Sequence, residues 1–116
     1  MQHDLLFHIT TKEDWKKYNN SGNYEPESLE EEGFIHCSTG DQVQETANRL
    51  FSDQDEILLL IVDGNMFRED IKYERDEDSG EKFPHLYCPL NTNAVIDKIN
   101  IKAEDDGTFD ISVTSS

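Results

Sequence analysis

The longest apolar run of the chain, Ile57-Leu58-Leu59-Leu60-Ile61-Val62, is bounded by Glu56 and Asp63. A stretch without polar interruption predicts a central strand covered on both faces. Leu5 to Thr10 predicts an earlier strand, and Asp63-Gly64-Asn65 turns the chain after the run, with Met66-Phe67 as a small anchor. Between them, Val43, Ala47, Leu50 and Phe51 recur at spacings that make one buried stripe, so Asp41 to Phe51 predicts an amphipathic helix. Thr11 with Asp14 three residues on reads as the cap of a helix carrying Trp15 and Tyr18 on one face and ended by Gly22. Pro26 and Ser28 open a short helical turn, Leu29 to Glu32, which Gly33 closes.

The second half reads as strands. Ile71 to Glu74 and Phe83 to Tyr87 predict a hairpin around the polar loop Asp76 to Lys82, with Gly80 at its apex. Pro84 and Pro89 place the returning strand near an edge or a bend, because proline donates nothing to a ladder. Ala94 to Ile101 alternates, and Gly107 turns into a last strand, Phe109 to Val113. The sum is a single α+β domain over residues 1–113, with about six or seven short, mostly antiparallel strands, two main helices and a disordered tail at 114–116.

Length agrees with one domain: the chain has 116 residues, against a common domain size of about 100 to 150. No apolar run approaches the ~18 residues of a membrane span, and the start lacks a secretory pattern. A soluble, cytoplasmic protein is expected. Charge narrows the partners: 26 Asp plus Glu face 10 Lys plus Arg, a net −16. Phosphate backbones and anionic membranes need clustered cations, and Lys16-Lys17 is the only adjacent pair, so neither nucleic acid nor membrane is expected as a partner. The acidic patches, such as Glu30-Glu31-Glu32 and Asp76-Glu77-Asp78, read as solvated loop charge. In a reducing compartment Cys37 and Cys88 read as thiols in apolar surroundings.

The chemistry lies in two strands. Alternation puts Phe34, His36 and Ser38 on one face with Ile35 and Cys37 behind; likewise Phe83, His85 and Tyr87 stand before Leu86 and Cys88. If the two fronts meet, two imidazoles and two hydroxyls line one pocket. His36 serves either as a general base or as a histidine bonded to backbone, and a ligand-gripping role lies between. Ser38 is two residues from His36 without a nucleophile elbow, which argues against serine-hydrolase chemistry. Tyr87 reads equally as amphipathic core, His8 as a third pocket imidazole or a satisfied core group, and Glu74 by default as a loop acid. His36-Cys37 with His85-x-x-Cys88 is a nominal zinc set, but His36 and Cys37 point to opposite faces and no C-x-x-C is present, so no metal is expected.

Taken together, Leu6-Phe7-His8-Ile9-Thr10, Trp15, Gly22-x-Tyr24-x-Pro26-x-Ser28-Leu29, Glu32-Gly33-Phe34-Ile35-His36-Cys37-Ser38, Lys72-Tyr73-Glu74 and Phe83-Pro84-His85-Leu86-Tyr87-x-Pro89-Leu90 resemble the bacterial family catalogued as domain of unknown function 952. The likeness runs over roughly Leu5 to Phe109. Cys88 departs from it, standing where the family commonly has glycine. That family's fold is similar to the ADP-ribosyltransferase-like group, whose split, curved sheet clamps NAD in a cleft. The resemblance implies His8 at the first motif position, Phe34 to Ser38 at the second, and Glu74 or the His85–Tyr87 pair near the third. It further implies NAD as a cofactor or an ADP-ribosyl compound as a nucleotide-type ligand. In that reading Glu74, His36 and His85 are catalytic, with Glu74 stabilising a cationic sugar, and His8, Phe34, Ser38 and Tyr87 bind. The alternatives are a non-catalytic binding or protein-interaction module and, third, a zinc-dependent hydrolase.

Overall fold

The computed structural model describes residues 5–77 and 79–111. The uninterrupted apolar run forms strand β5 (Glu56–Asp63), which lies between β1 (Leu5–Thr10) and β9 (Val95–Lys102) in an antiparallel sheet of order β1-β5-β9. Its alternate side chains enter two different cores, which is why no polar position interrupts it. Leu58, Leu60 and Val62 join Leu6, Tyr24, Ile35, Leu86 and Leu90 on one face. Ile57 and Leu59 join Phe7, Ile9, Val43, Ala47 and Phe109 on the other. The β9 register slips between Ile61↔Asp97 and Val62↔Val95, so Ile96 bulges outward and is exposed.

Helix α1 (Lys12–Tyr18) begins where predicted, with Thr11 Oγ1 accepting from the Asp14 amide. It ends at Asn19, not at Gly22. Ser21 (φ 54°) and Gly22 (φ 88°) instead form a two-residue turn between β2 (Asn19–Asn20) and β3 (Asn23–Tyr24). Two successive positive φ values match the twist of a tight hairpin, so the glycine serves a turn rather than a helix end. Strand β3 also pairs with β8 (Leu90–Asn91), completing a small sheet of order β2-β3-β8.

Helix α2 (Glu27–Glu32) is closed by Gly33 in the left-handed region (φ 90°), its amide donating to the Leu29 and Ser28 carbonyls. A Cβ there would touch nothing within 4 Å, so the strain of substitution is conformational only. Gly33→Ala is expected to cost about 1 kcal/mol, read as a lowered denaturant midpoint at unchanged slope. Helix α3 (Val43–Leu50) buries Val43 and Ala47.

The third sheet carries the histidines. It is ordered β4 (Ile35–His36), β7 (Lys82–Leu86), β6 (Ile71–Arg75), so the proline-bearing strand is central and not at an edge. The reason is local. The Pro84 carbonyl accepts from the Cys37 amide. The missing N–H of Pro84 therefore faces the same side, just past the two-residue pairing with β4, and the ladder with β6 is untouched. Among the described residues the three sheets hold nine short β segments and there are three α-helices.

The predicted last strand is also corrected. Phe109 to Ile111 pair with no strand; their backbone is held by side chains of α3. Asn48 accepts from the Phe109 amide (2.6 Å) and donates to its carbonyl (3.2 Å), and Gln44 accepts from the Ile111 amide (2.9 Å). Ser112, Val113 and the predicted tail lie outside the described residues. No helix among the described residues is long and apolar enough to cross a membrane.

Candidate functional site

Pairing of β4 with β7 sets His36 opposite His85 and Ile35 opposite Leu86. Ile35 and Leu86 are buried behind the sheet, and the imidazoles share its front. The rings lie 5.6 Å apart, edge to face. Phe34 stacks on His85 at 4.1 Å and meets the edge of His36 at 4.8 Å. The two fronts read from alternation are thus one surface.

Each imidazole has its own carboxylate. Glu32, at the end of α2, places Oε1 2.5 Å from His36 Nε2, four residues along and well exposed. Glu74, on β6, places Oε1 2.7 Å from His85 Nδ1. The same oxygen accepts a short hydrogen bond from the Tyr87 hydroxyl. A carboxylate only accepts, so His85 carries its proton on Nδ1 and keeps Nε2 for other work. The Tyr87 bond, then the His85 bond, holds the Glu74 carboxyl below its ordinary range. Glu74 in turn raises the Tyr87 hydroxyl above its own.

His8 is placed differently. It is buried, with Nδ1 2.6 Å from the His36 carbonyl and Nε2 3.2 Å from the Tyr24 hydroxyl, itself 2.9 Å from Thr10 Oγ1. The carbonyl requires a proton on Nδ1, so both ring nitrogens are engaged. Burial pushes the ring down to about 4, and it is neutral at pH 7. His8 works as a bolt between β1 and the site strand, beside the paired Phe7 and Ser38 backbones. Ser38 is buried too, and its hydroxyl donates to Thr46 Oγ1 at 3.3 Å. Burial raises Cys37 to about 12 and Cys88 to about 11, so neither is a thiolate. Outside glycine, Ser21 is the one positive-φ position described, so Cys88 occupies the glycine position of the resemblance without backbone strain. Among the described residues no three His, Cys, Asp or Glu side chains gather as a metal cluster.

The imidazoles open onto a groove of about 840 Å³, lined as well by Arg49, Leu50 and Phe51 of the α3 end and by Arg75 and Asp76. His8, His36, His85, Phe34 and Ser38 line it, whereas Glu74, bonded to His85 and Tyr87, does not, nor does Tyr87. Sequence reasoning missed Glu32 and the two arginines. The spacing of four between Glu32 and His36 was a signal. So was the scarcity of arginine: the chain has only Arg49, Arg68 and Arg75.

Residues 9–98 match the family described as a protein of unknown function, DUF952. The chain belongs to that family. Both site strands and α3 fall within the matched span of this DUF952 protein. It is similar to protein CC0527 of Caulobacter crescentus, whose crystal structure superposes with a TM-score of 0.81 at 34% identity over 91% of this chain and 93% of that one. The solution NMR structure of CC0527 gives a TM-score of 0.77 at 34% identity, over 90% of each chain. No curated protein matches the chain.

Proposed function

We propose that this DUF952 protein binds a nucleotide-type small molecule of the ADP-ribosyl class, NAD included, in the groove beside His36 and His85. Its chemistry there would be transfer or hydrolysis at the ribosyl bond. The observation that carries the reading is the Glu74–His85 pair (2.7 Å), with His85 on the groove wall and Phe34 stacked against it. The resemblance to the ADP-ribosyltransferase-like group supports the ligand class.

In this reading His85 Nε2 takes the proton from an incoming water or hydroxyl as its oxygen bonds to the ribose anomeric carbon. The bond to nicotinamide breaks, and its electron pair leaves with the base. Glu74 bonds the Nδ1 side of the imidazole and is not in the groove lining, so in this reading it is a positioning residue: it fixes the tautomer and stabilises the imidazolium instead of facing the sugar cation. His36, half-exposed with Glu32, grips the ribose hydroxyls. Binding without turnover is the second reading. It is favoured by Glu74, the carboxylate that the resemblance assigns to the cationic sugar, being bonded to Tyr87 and His85 and not lining the groove.

Calorimetric titration and thermal shift with ADP-ribose and NAD test the proposal, because a ligand of the folded state raises the melting temperature. His85→Ala is expected to weaken binding about tenfold, the effect of one hydrogen bond to a polar group. Glu74→Gln is expected to retain binding and, where turnover is seen, to lower kcat and displace its pH profile. Absence of any shift at millimolar ligand would overturn the reading.

A further inference from the structure

We infer that Arg49 and Arg75 form an anion subsite in the groove, one that takes the pyrophosphate of a nucleoside diphosphate. It rests on the reading above only in treating this groove as the ligand site. Of the chain's three arginines, two come from separate elements, the last turn of α3 and the end of β6, to line the groove. The imidazoles line the same groove. A net charge of −16 repels anions at long range, yet physiological salt screens such fields beyond about 8 Å. Capture therefore depends on short charged hydrogen bonds, and planar guanidinium forks make them two at a time.

Both side chains are set for this. Arg75 Nη1 donates to the Gly80 carbonyl (2.6 Å), which anchors the head while leaving most of its five donors. Arg49 Nη1 is 3.5 Å from Asp76 Oδ2, a long contact between partly exposed groups. Asp76 Oδ2 accepts in addition from the Ser79 amide (3.2 Å) and hydroxyl (3.0 Å). The carboxylate is thus held by its own loop, and Arg49 can turn to a ligand at little loss, since exposed ion pairs contribute little.

Titration with inorganic pyrophosphate, ADP, ADP-ribose and adenosine tests the subsite in wild type, Arg49→Gln, Arg75→Gln and Arg68→Gln, with melting curves confirming that each folds. Pyrophosphate, ADP and ADP-ribose should each lose about tenfold or more in either groove variant, as for a charged hydrogen bond. Adenosine binding and the Arg68→Gln variant should be unchanged. Arg49→Lys should recover only part, because a point charge replaces a fork. Pyrophosphate that fails to bind wild type, or binds Arg49→Gln and Arg75→Gln as well as wild type, overturns the subsite. Should pyrophosphate bind through the arginines while ADP-ribose does not bind at all, the subsite stands and the ADP-ribosyl reading falls. ADP-ribose that binds both groove variants as tightly as wild type has the opposite meaning: the subsite falls and the ADP-ribosyl reading stands.

Discussion

Taking the protein from pH 7 to pH 4 is expected to remove about 3 kcal/mol of folding stability through His8 alone. The ring's ordinary value is 6.5, and burial lowers it to about 4 in the folded chain. The unfolded chain therefore binds the proton first. The stabilisation is complete above pH 6.5, falls by about 1.4 kcal/mol per pH unit as pH drops toward 4, and levels off below that. Other groups act in the same titration. Neutralising carboxylates relieves the self-repulsion of a chain at net −16 and raises stability. Glu74 and Asp106, both held below their ordinary range, lower it in a more acidic window.

The diagnostic quantity is therefore the gap between wild type and His8→Gln, which keeps a donor toward the His36 carbonyl but cannot titrate. Urea denaturation across pH should show that gap shrinking by about 3 kcal/mol between pH 7 and pH 4. Parallel curves would show that His8 is not the buried neutral group described. The second proton adds at Nε2, on the Tyr24 side, while Nδ1 keeps its bond to the His36 carbonyl, so the cost is that of a buried charge.

What the sequence made legible and what it hid divide along physical lines. Period-two alternation is a local property, so the shared fronts of Phe34–Ser38 and Phe83–Tyr87 and the buried backs at Ile35 and Leu86 could be read directly. The apolar run likewise announced a strand with two covered faces. Gly22 misled because a glycine after a helix can close it or can turn a hairpin, and Ser21 at positive φ decides for the turn only once the backbone is known. Phe109 to Ile111 carried an apolar alternation, but their backbone partners are the side-chain amides of Asn48 and Gln44, more than sixty positions back in the chain. Nothing local marks such a pairing. Pro84 followed a rule about ladders that holds for each side of a strand separately, and only its β4 side lacks the bond. His8 stood in a strand as open to a pocket role as to a core role; it lines the groove with both ring nitrogens engaged, by the carbonyl of His36 and the hydroxyl of Tyr24. Arg49 and Arg75 line one groove only because the fold brings the ends of α3 and β6 to it.

Leu86→Ala is expected to destabilise the protein by roughly 2–5 kcal/mol, the range for truncating a buried leucine. Leu86 is 1% exposed and stands between His85 and Tyr87 on the central strand of the site sheet. It is paired on one side with Ile35 and on the other with Ile71. Both of its flanking strands pack the void that truncation would leave, and neither can close in without moving the histidine it carries or supports. A loss of this size is a large share of the about 5–15 kcal/mol that holds a domain folded, and should lower the melting temperature by about 10 °C or more. Leu86→Met conserves volume and should cost less than about 1.5 kcal/mol. Guanidinium denaturation at fixed pH separates the two, with unchanged slope showing that the same surface unfolds. Equal midpoints for the two variants would mean that the back of the sheet is not a packed core. The His36–His85 front would then lack the rigid support on which the general base proposed at His85 depends, since orientation to within a fraction of an ångström must come from packing behind the strand.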